Sequence, residues 1–154
     1  MVALRIFSYL PNPRIWKATI TARLCDVEVE VRGATPSELS QWLWDFDARP
    51  ITDVPREMLA RAERTGRIGF ADQKLYKTDA FLEAQPFGTV PAAFSPDGRI
   101  GIFESNSIMR AVARLGAERF PVYDAPTVQA EIGFIRHPYS SLRRSPLGAA
   151  QRRV

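Results

Sequence analysis

Cysteine and histidine are almost missing from this chain of 154 residues, and the shortage excludes several chemistries. One cysteine, Cys25, cannot close an internal disulfide, so nothing points to an oxidising compartment. No Cys-x-x-Cys is present, which argues against a dithiol oxidoreductase. The one histidine, His137, gives little support to a Ser/His or Cys/His catalytic pair. No Cys/His cluster has zinc spacing, so no metal is expected. No phosphate-binding glycine pattern occurs. The apolar runs fall short of the roughly 20 residues that a membrane span needs. The start, Met1-Val2-Ala3-Leu4-Arg5, lacks the charged-then-apolar plan of a secretory signal. These absences predict a cytoplasmic protein with no membrane partner.

What is present fits a globular domain: 45% hydrophobic and 25% charged residues, without a long biased tract. The net charge of +4 is misleading. Residues 135–154 hold Arg136, Arg143, Arg144, Arg152 and Arg153 and no acid, so the first 134 residues total −1. A basic body would suggest a polyanion partner. Only the tail is basic here, and Tyr139 is its one aromatic, so no nucleic acid is expected. The tail reads as a solvated or disordered end.

Residues 4–9 alternate and are rich in strand formers, and Pro11-Asn12-Pro13 breaks them. Ile15, Ala18, Thr19 and Ala22 fall at helical spacing over Arg14–Leu24. Val27, Val29 and Val31 alternate with Glu28 and Glu30 as a second strand. Strand, helix and strand in this compass form a βαβ unit with parallel strands. Thr35-Pro36-Ser37-Glu38 has the form of a capping box opening a helix through Leu39, Trp42, Leu43 and Phe46. A second, charged helix is expected over Pro55–Arg64, closed by Gly66, with irregular chain over 67–76.

Thr78-Asp79 caps a third short helix. Ser95-Pro96-Asp97-Gly98 lies between Val90–Phe94 and Arg99–Phe103, the signature of a β-hairpin. Ser105 is expected to cap a helix with Ile108, Met109, Val112 and Leu115 on its apolar stripe, ended by Gly116. The order β-α-β, insertion, α-β-β-α fits an α/β, thioredoxin-like fold: a four-stranded mixed sheet with flanking helices. The domain would cover 3–116, with a helical insertion over 33–76. Residues 117–154 would be a linker and an atypical basic tail, truncated or disordered.

Three places carry chemical signal. The start of the last helix, Glu104-Ser105, offers free N–H groups, a positive dipole end, a hydroxyl and a carboxylate. Such a set suits the α-amino acid end of a ligand, although Ser is also a common structural cap. At Val90-Pro91, a cis bond would turn the backbone of Val90 towards a ligand; the residues alone favour trans. Tyr9-Leu10-Pro11-Asn12 ends the first strand, where α/β folds place ligands. Asn12 either donates to a thiolate and lowers its pKa or simply makes the turn. Cys25, ahead of a strand, reads as core.

Taken in order, these segments resemble the amino-terminal domain of glutathione S-transferases. The run from Tyr9 to Ala18 is similar to that family's first strand-to-helix turn. In feel it is closest to the corresponding domain of the gamma subunit of translation elongation factor one. Residues 77–92 resemble the run from second helix to third strand, and residues 102–108 the γ-glutamyl site. The resemblance implies glutathione as substrate, presented as its thiolate to an unknown electrophile, or a non-catalytic interaction module. It implies a cis Pro91, with Val90 pairing with the cysteinyl part of glutathione. Glu104 and Ser105 would hold the γ-glutamyl end and Lys77 the glycine carboxylate. Asn12 falls near the thiol-activating position, and Tyr9 is the other catalytic candidate. Family members continue into an all-helical domain and pair as homodimers in full-length form. Phe120-Pro121-Val122-Tyr123 resembles their interdomain linker.

Overall fold

The computed structural model of the chain describes residues 1–116 apart from 67, 68 and 72. The expected linker and basic tail, with His137, lie outside the described residues. Strand β1 (Leu4–Phe7) leads through helix α1 (Pro13–Cys25) to strand β2 (Val29–Arg32). β2 lies parallel to β1, Leu4 facing Val29 and Phe7 facing Arg32. Strands β3 (Trp42–Trp44) and β4 (Arg49–Pro50), helix α2 (Arg56–Ala62), and strands β5 (Glu63–Thr65) and β6 (Lys74–Lys77) follow. Helix α3 (Asp79–Ala84), strands β7 (Ala92–Phe94) and β8 (Gly101–Phe103), and helix α4 (Ser105–Leu115) complete the order.

The first sheet runs β2-β1-β7-β8, with β7 antiparallel to β1 and β8 antiparallel to β7. This is the thioredoxin-like arrangement. Side chains alternate across a strand, so each strand feeds two cores. Leu4, Ile6 and Ala93 enter one face, where Ile15, Ala18 and Ala22 of α1 meet Ile108 and Val112 of α4. Phe7, Ala92 and Phe94 enter the other, against Phe81 of α3 and Trp44 and Leu75 of the second sheet. The two helices on the first face come close at their carboxyl ends. Gly116, at the end of α4, lies so close to Cys25 that an added Cβ would stand 2.4 Å from the Cys25 Cβ. Cys25 itself is buried and free, the core role expected of it.

The caps are local and explicit. The Asn12 side chain accepts the Arg14 N–H at 2.9 Å, and Pro13 follows at the first helical position. Thr78 caps α3 by accepting the Phe81 N–H at 3.1 Å, and its hydroxyl donates to Asp45 at 2.9 Å. In the β7–β8 turn, Gly98 takes φ +73° and donates to the Ser95 carbonyl at 2.9 Å. The Asp97 carboxylate there accepts the Ser95 hydroxyl and the Arg99 N–H, which hold its pKa below the ordinary carboxylate value.

The insertion differs from the helical unit expected of it: it builds a second four-stranded sheet, ordered β4-β3-β6-β5. Trp42–Trp44 is a strand, paired with β4 and parallel to β6. Its apolar run is too short to tell helix from strand by period. On a strand, residues two apart share a face, and Trp42 and Trp44 both pack on Phe7, at ring centroid distances of 6.2 and 5.5 Å. Leu43 points the other way, towards Val54 and Ala62. Half of the capping box forms: Glu38 accepts both the N–H and the hydroxyl of Thr35, while its own N–H donates to the Thr35 carbonyl rather than the hydroxyl. Only a 3-10 turn, Leu39–Gln41, follows these contacts. The charged helix stops at Ala62 and passes directly into β5, and the chain expected to be irregular contains most of β6. Asp47 ties the two sheets together: Arg32 of β2 donates to it at 2.8 Å and Arg49 of β4 at 3.0 Å. Among the described residues, no helix is long and apolar enough to cross a membrane.

Candidate functional site

A cleft of about 1710 Å³ opens where the carboxyl end of β1, the approach to β7, the start of α4 and the second sheet converge. Tyr9, Lys77, Val90, Pro91, Glu104 and Ser105 all line it. Of the seven expected site residues, Asn12 alone is not in the lining.

Asn12 is wholly buried, and its amide is committed at both ends. The amide nitrogen donates to the Ser8 hydroxyl at 2.8 Å while the oxygen caps α1. Of the two readings left open for Asn12, the geometry matches the turn. Tyr9 is half-buried beside it and reaches the cleft.

The approach to β7 is organised by a buried glutamine that sequence reading overlooked. Gln85 donates to the Thr89 carbonyl at 3.0 Å and hydroxyl at 3.1 Å, and accepts the Phe87 N–H at 3.1 Å. These bonds fold residues 85–89 into a tight loop that delivers Val90 to the cleft. The Val90–Pro91 bond is cis, as is Leu10–Pro11. Neither backbone group of Val90 bonds to another described residue. Both groups are therefore open to water or to a ligand in the cleft.

At α4 the helix begins one residue earlier than expected. Glu104, not Ser105, occupies the cap position, with φ +69°, and its side chain makes no capping bond. Ser105 is therefore the first helical residue, and its hydroxyl bonds to no other described residue. Glu104 is exposed and Ser105 half-buried. The helix end adds free N–H groups and the positive end of its dipole. Lys17 of α1 donates to Asn106 at 2.6 Å, fixing the first turn of α4 against α1.

Lys77, the last residue of β6, is 9% exposed. Its ammonium donates to the Gly88 carbonyl at 2.7 Å and lies 4.5 Å over the Trp44 ring. Trp44, Arg64 and Phe70 bring further parts of the insertion into the lining. Alternation in Glu63-Arg64-Thr65 and Lys74-Leu75-Tyr76-Lys77 was the available signal for the strands carrying Arg64 and Lys77.

Three solved structures similar to this chain are glutathione transferases. A trimeric glutathione transferase of Leishmania is 16% identical, with 87% of this chain and 22% of that chain covered and a TM-score of 0.42. A theta class enzyme of Xanthomonas axonopodis pv. citri, solved with glutathione bound, is 16% identical, with 99% and 60% covered and a TM-score of 0.43. A glutathione S-transferase of the Antarctic clam Laternula elliptica is 14% identical, with 82% and 42% covered and a TM-score of 0.39. The chain thus spans less than two thirds of each of those chains. No family model and no curated protein matches the chain.

The lining is mixed in character. Arg14, Lys17, Arg64 and Lys77 bring positive charge, Glu104 one negative charge, and Tyr9, Trp44, Phe70 and Phe87 aromatic surface. Backbone groups, one hydroxyl, a carboxylate and several cations on apolar walls suit a small zwitterionic or acidic ligand. Among the described residues, no three His, Cys, Asp or Glu side chains are grouped to hold a metal.

Proposed function

We propose that the cleft binds glutathione and presents its thiolate to an electrophile, as in a glutathione S-transferase. The observation that carries this reading is convergence: six residues chosen from separate sequence segments line one cleft. In this reading the α4 N-terminus and the Ser105 hydroxyl take the γ-glutamyl carboxylate, and Glu104 takes its ammonium. The backbone of Val90 pairs with the cysteinyl residue, and Lys77 meets the glycine carboxylate. Tyr9 is then the side chain placed to donate to the sulfur, which lowers the thiol pKa. The thiol proton passes to water, a sulfur–carbon bond forms, and the leaving group departs with its electron pair. The expected setting is cytoplasmic, with a second copy of the full-length protein as partner.

The burial of Asn12 favours a second reading, a non-catalytic binding module of the same fold. Isothermal titration with glutathione tests the first reading; absence of binding would refute it and leave an interaction module that does not use glutathione. A conjugation assay with 1-chloro-2,4-dinitrobenzene separates enzyme from module.

A further inference from the structure

The second sheet presents one continuous face to the cleft. Trp44 is registered with Lys77, and Arg64 is registered with Leu75, two residues before Lys77. Alternation places all four side chains on that face, and all four line the cleft. The opposite face carries Leu43 and Tyr76 towards Val54 and Ala62. Arg64 and Lys77 are therefore diagonal neighbours, with a spacing of roughly 7–8 Å expected for such pairs.

The two cations are held differently. Lys77 is nearly buried and engaged with Gly88 and Trp44. Arg64 is 34% exposed. Its Nη1 donates to the carbonyls of Arg61 and Glu63, both at 2.8 Å, and its Nη2 donates to Asp79 at 2.6 Å. A guanidinium has five N–H donors, so the Nε–H and one Nη2 hydrogen have no bond among the described residues. The group is fixed in place yet retains donors, and its partner Asp79 is 93% exposed. An ion pair so exposed contributes little and yields readily to a competing carboxylate.

The insertion supplies this wall of the cleft.

We propose that Arg64 forms an anion subsite beyond Lys77, so that the preferred ligand is a glutathione-type thiol peptide extended at its glycine end by an acidic residue. The proposal rests on the glutathione reading above; in the extended peptide the glycine carboxylate becomes a peptide bond, whose carbonyl then accepts from Lys77. An extended residue adds about 3.3–3.6 Å of chain, and an acidic side chain spans the remainder to Arg64.

Isothermal titration of the full chain with three peptides tests it: glutathione, γ-Glu-Cys-Gly-Glu and γ-Glu-Cys-Gly-Gln, which keeps the terminal carboxylate but lacks the side-chain charge. The Glu tetrapeptide should bind roughly tenfold more tightly than the Gln tetrapeptide, the effect of a charged hydrogen bond. Arg64→Gln should abolish that difference, and Arg64→Lys should keep part of it. Glutathione binding with no preference between the two tetrapeptides would overturn the subsite and leave the glutathione reading standing. A preference that survives in a folded Arg64→Gln would also overturn it. Binding of none of the three would refute both readings together. The wild-type comparison needs no variant, so a poorly folded Arg64→Gln would not spare the proposal.

Discussion

The ammonium of Lys77 lies 4.5 Å over the ring of Trp44, a contact that joins the core of the second sheet to the cleft. Trp44 is 1% exposed, and its indole N–H donates to the Leu39 carbonyl at 3.0 Å. Lys77→Met keeps the length of the side chain but removes the charge. It should weaken glutathione binding by about 1.5–3 kcal/mol, the range for a hydrogen bond to a charged group. It should also lower stability by about 1–3 kcal/mol, because the Gly88 carbonyl loses its donor. Titration and urea denaturation on the same protein separate the two effects. A variant that binds normally would remove Lys77 from the ligand.

Ser105 offers a cleaner test, because its hydroxyl is not the helix cap. Ser105→Ala should weaken glutathione binding by about 1–3 kcal/mol. The melting temperature should stay near that of the wild type, since Glu104 holds the cap position without a side-chain bond. A large fall in melting temperature with unchanged affinity would reassign Ser105 to structure.

Asn12 and Tyr9 should separate in the opposite sense. Asn12→Ala loses both the α1 cap and the bond to Ser8, so it should destabilise the fold by about 0.5–2 kcal/mol. Tyr9→Phe should fold normally and, if the protein is an enzyme, raise the kinetic pKa of bound thiol in the pH profile of conjugation. A profile unchanged in Tyr9→Phe but displaced in Asn12→Ala would return the activating role to Asn12.

These outcomes also show where the sequence is legible. The βαβ unit, the Thr78 cap and the Pro-Asp-Gly hairpin rest on local chemistry: a period, a hydroxyl, a glycine at positive φ. Each lies in the structure close to where those residues predict. The insertion was misread because its elements are two to seven residues long. At that length Trp42-Leu43-Trp44 satisfies a helical stripe or a strand equally well. Pairing with Tyr76 and Lys77, more than thirty residues away, makes it a strand. The site followed the same division. Residues 104–105 and 90–91 stand out by local motif, whereas Gln85 and Arg64 acquire meaning only through partners that folding brings to them.

The last prediction concerns the outer face of α1. Ile15, Ala18 and Ala22 are buried, while Trp16, Ile20 and Leu24 are 54%, 56% and 62% exposed. Spacing of four residues places these three in one stripe along the helix. Single exposed apolar side chains are ordinary, but a contiguous stripe with an indole favours association. The chain should therefore self-associate as its concentration rises. Ile20→Lys with Leu24→Lys should suppress that association without touching the core, because the substituted positions face away from Ala18 and Ala22. Surface changes of this kind usually alter stability by no more than about 0.5 kcal/mol each, so the melting curve should hardly move. Glutathione affinity should also be unchanged, since neither residue lines the cleft. Size-exclusion chromatography with light scattering over a concentration series reads the result directly. A wild-type chain that stays monomeric at high concentration would show that the stripe is covered or tolerated in solution, and would sink the prediction.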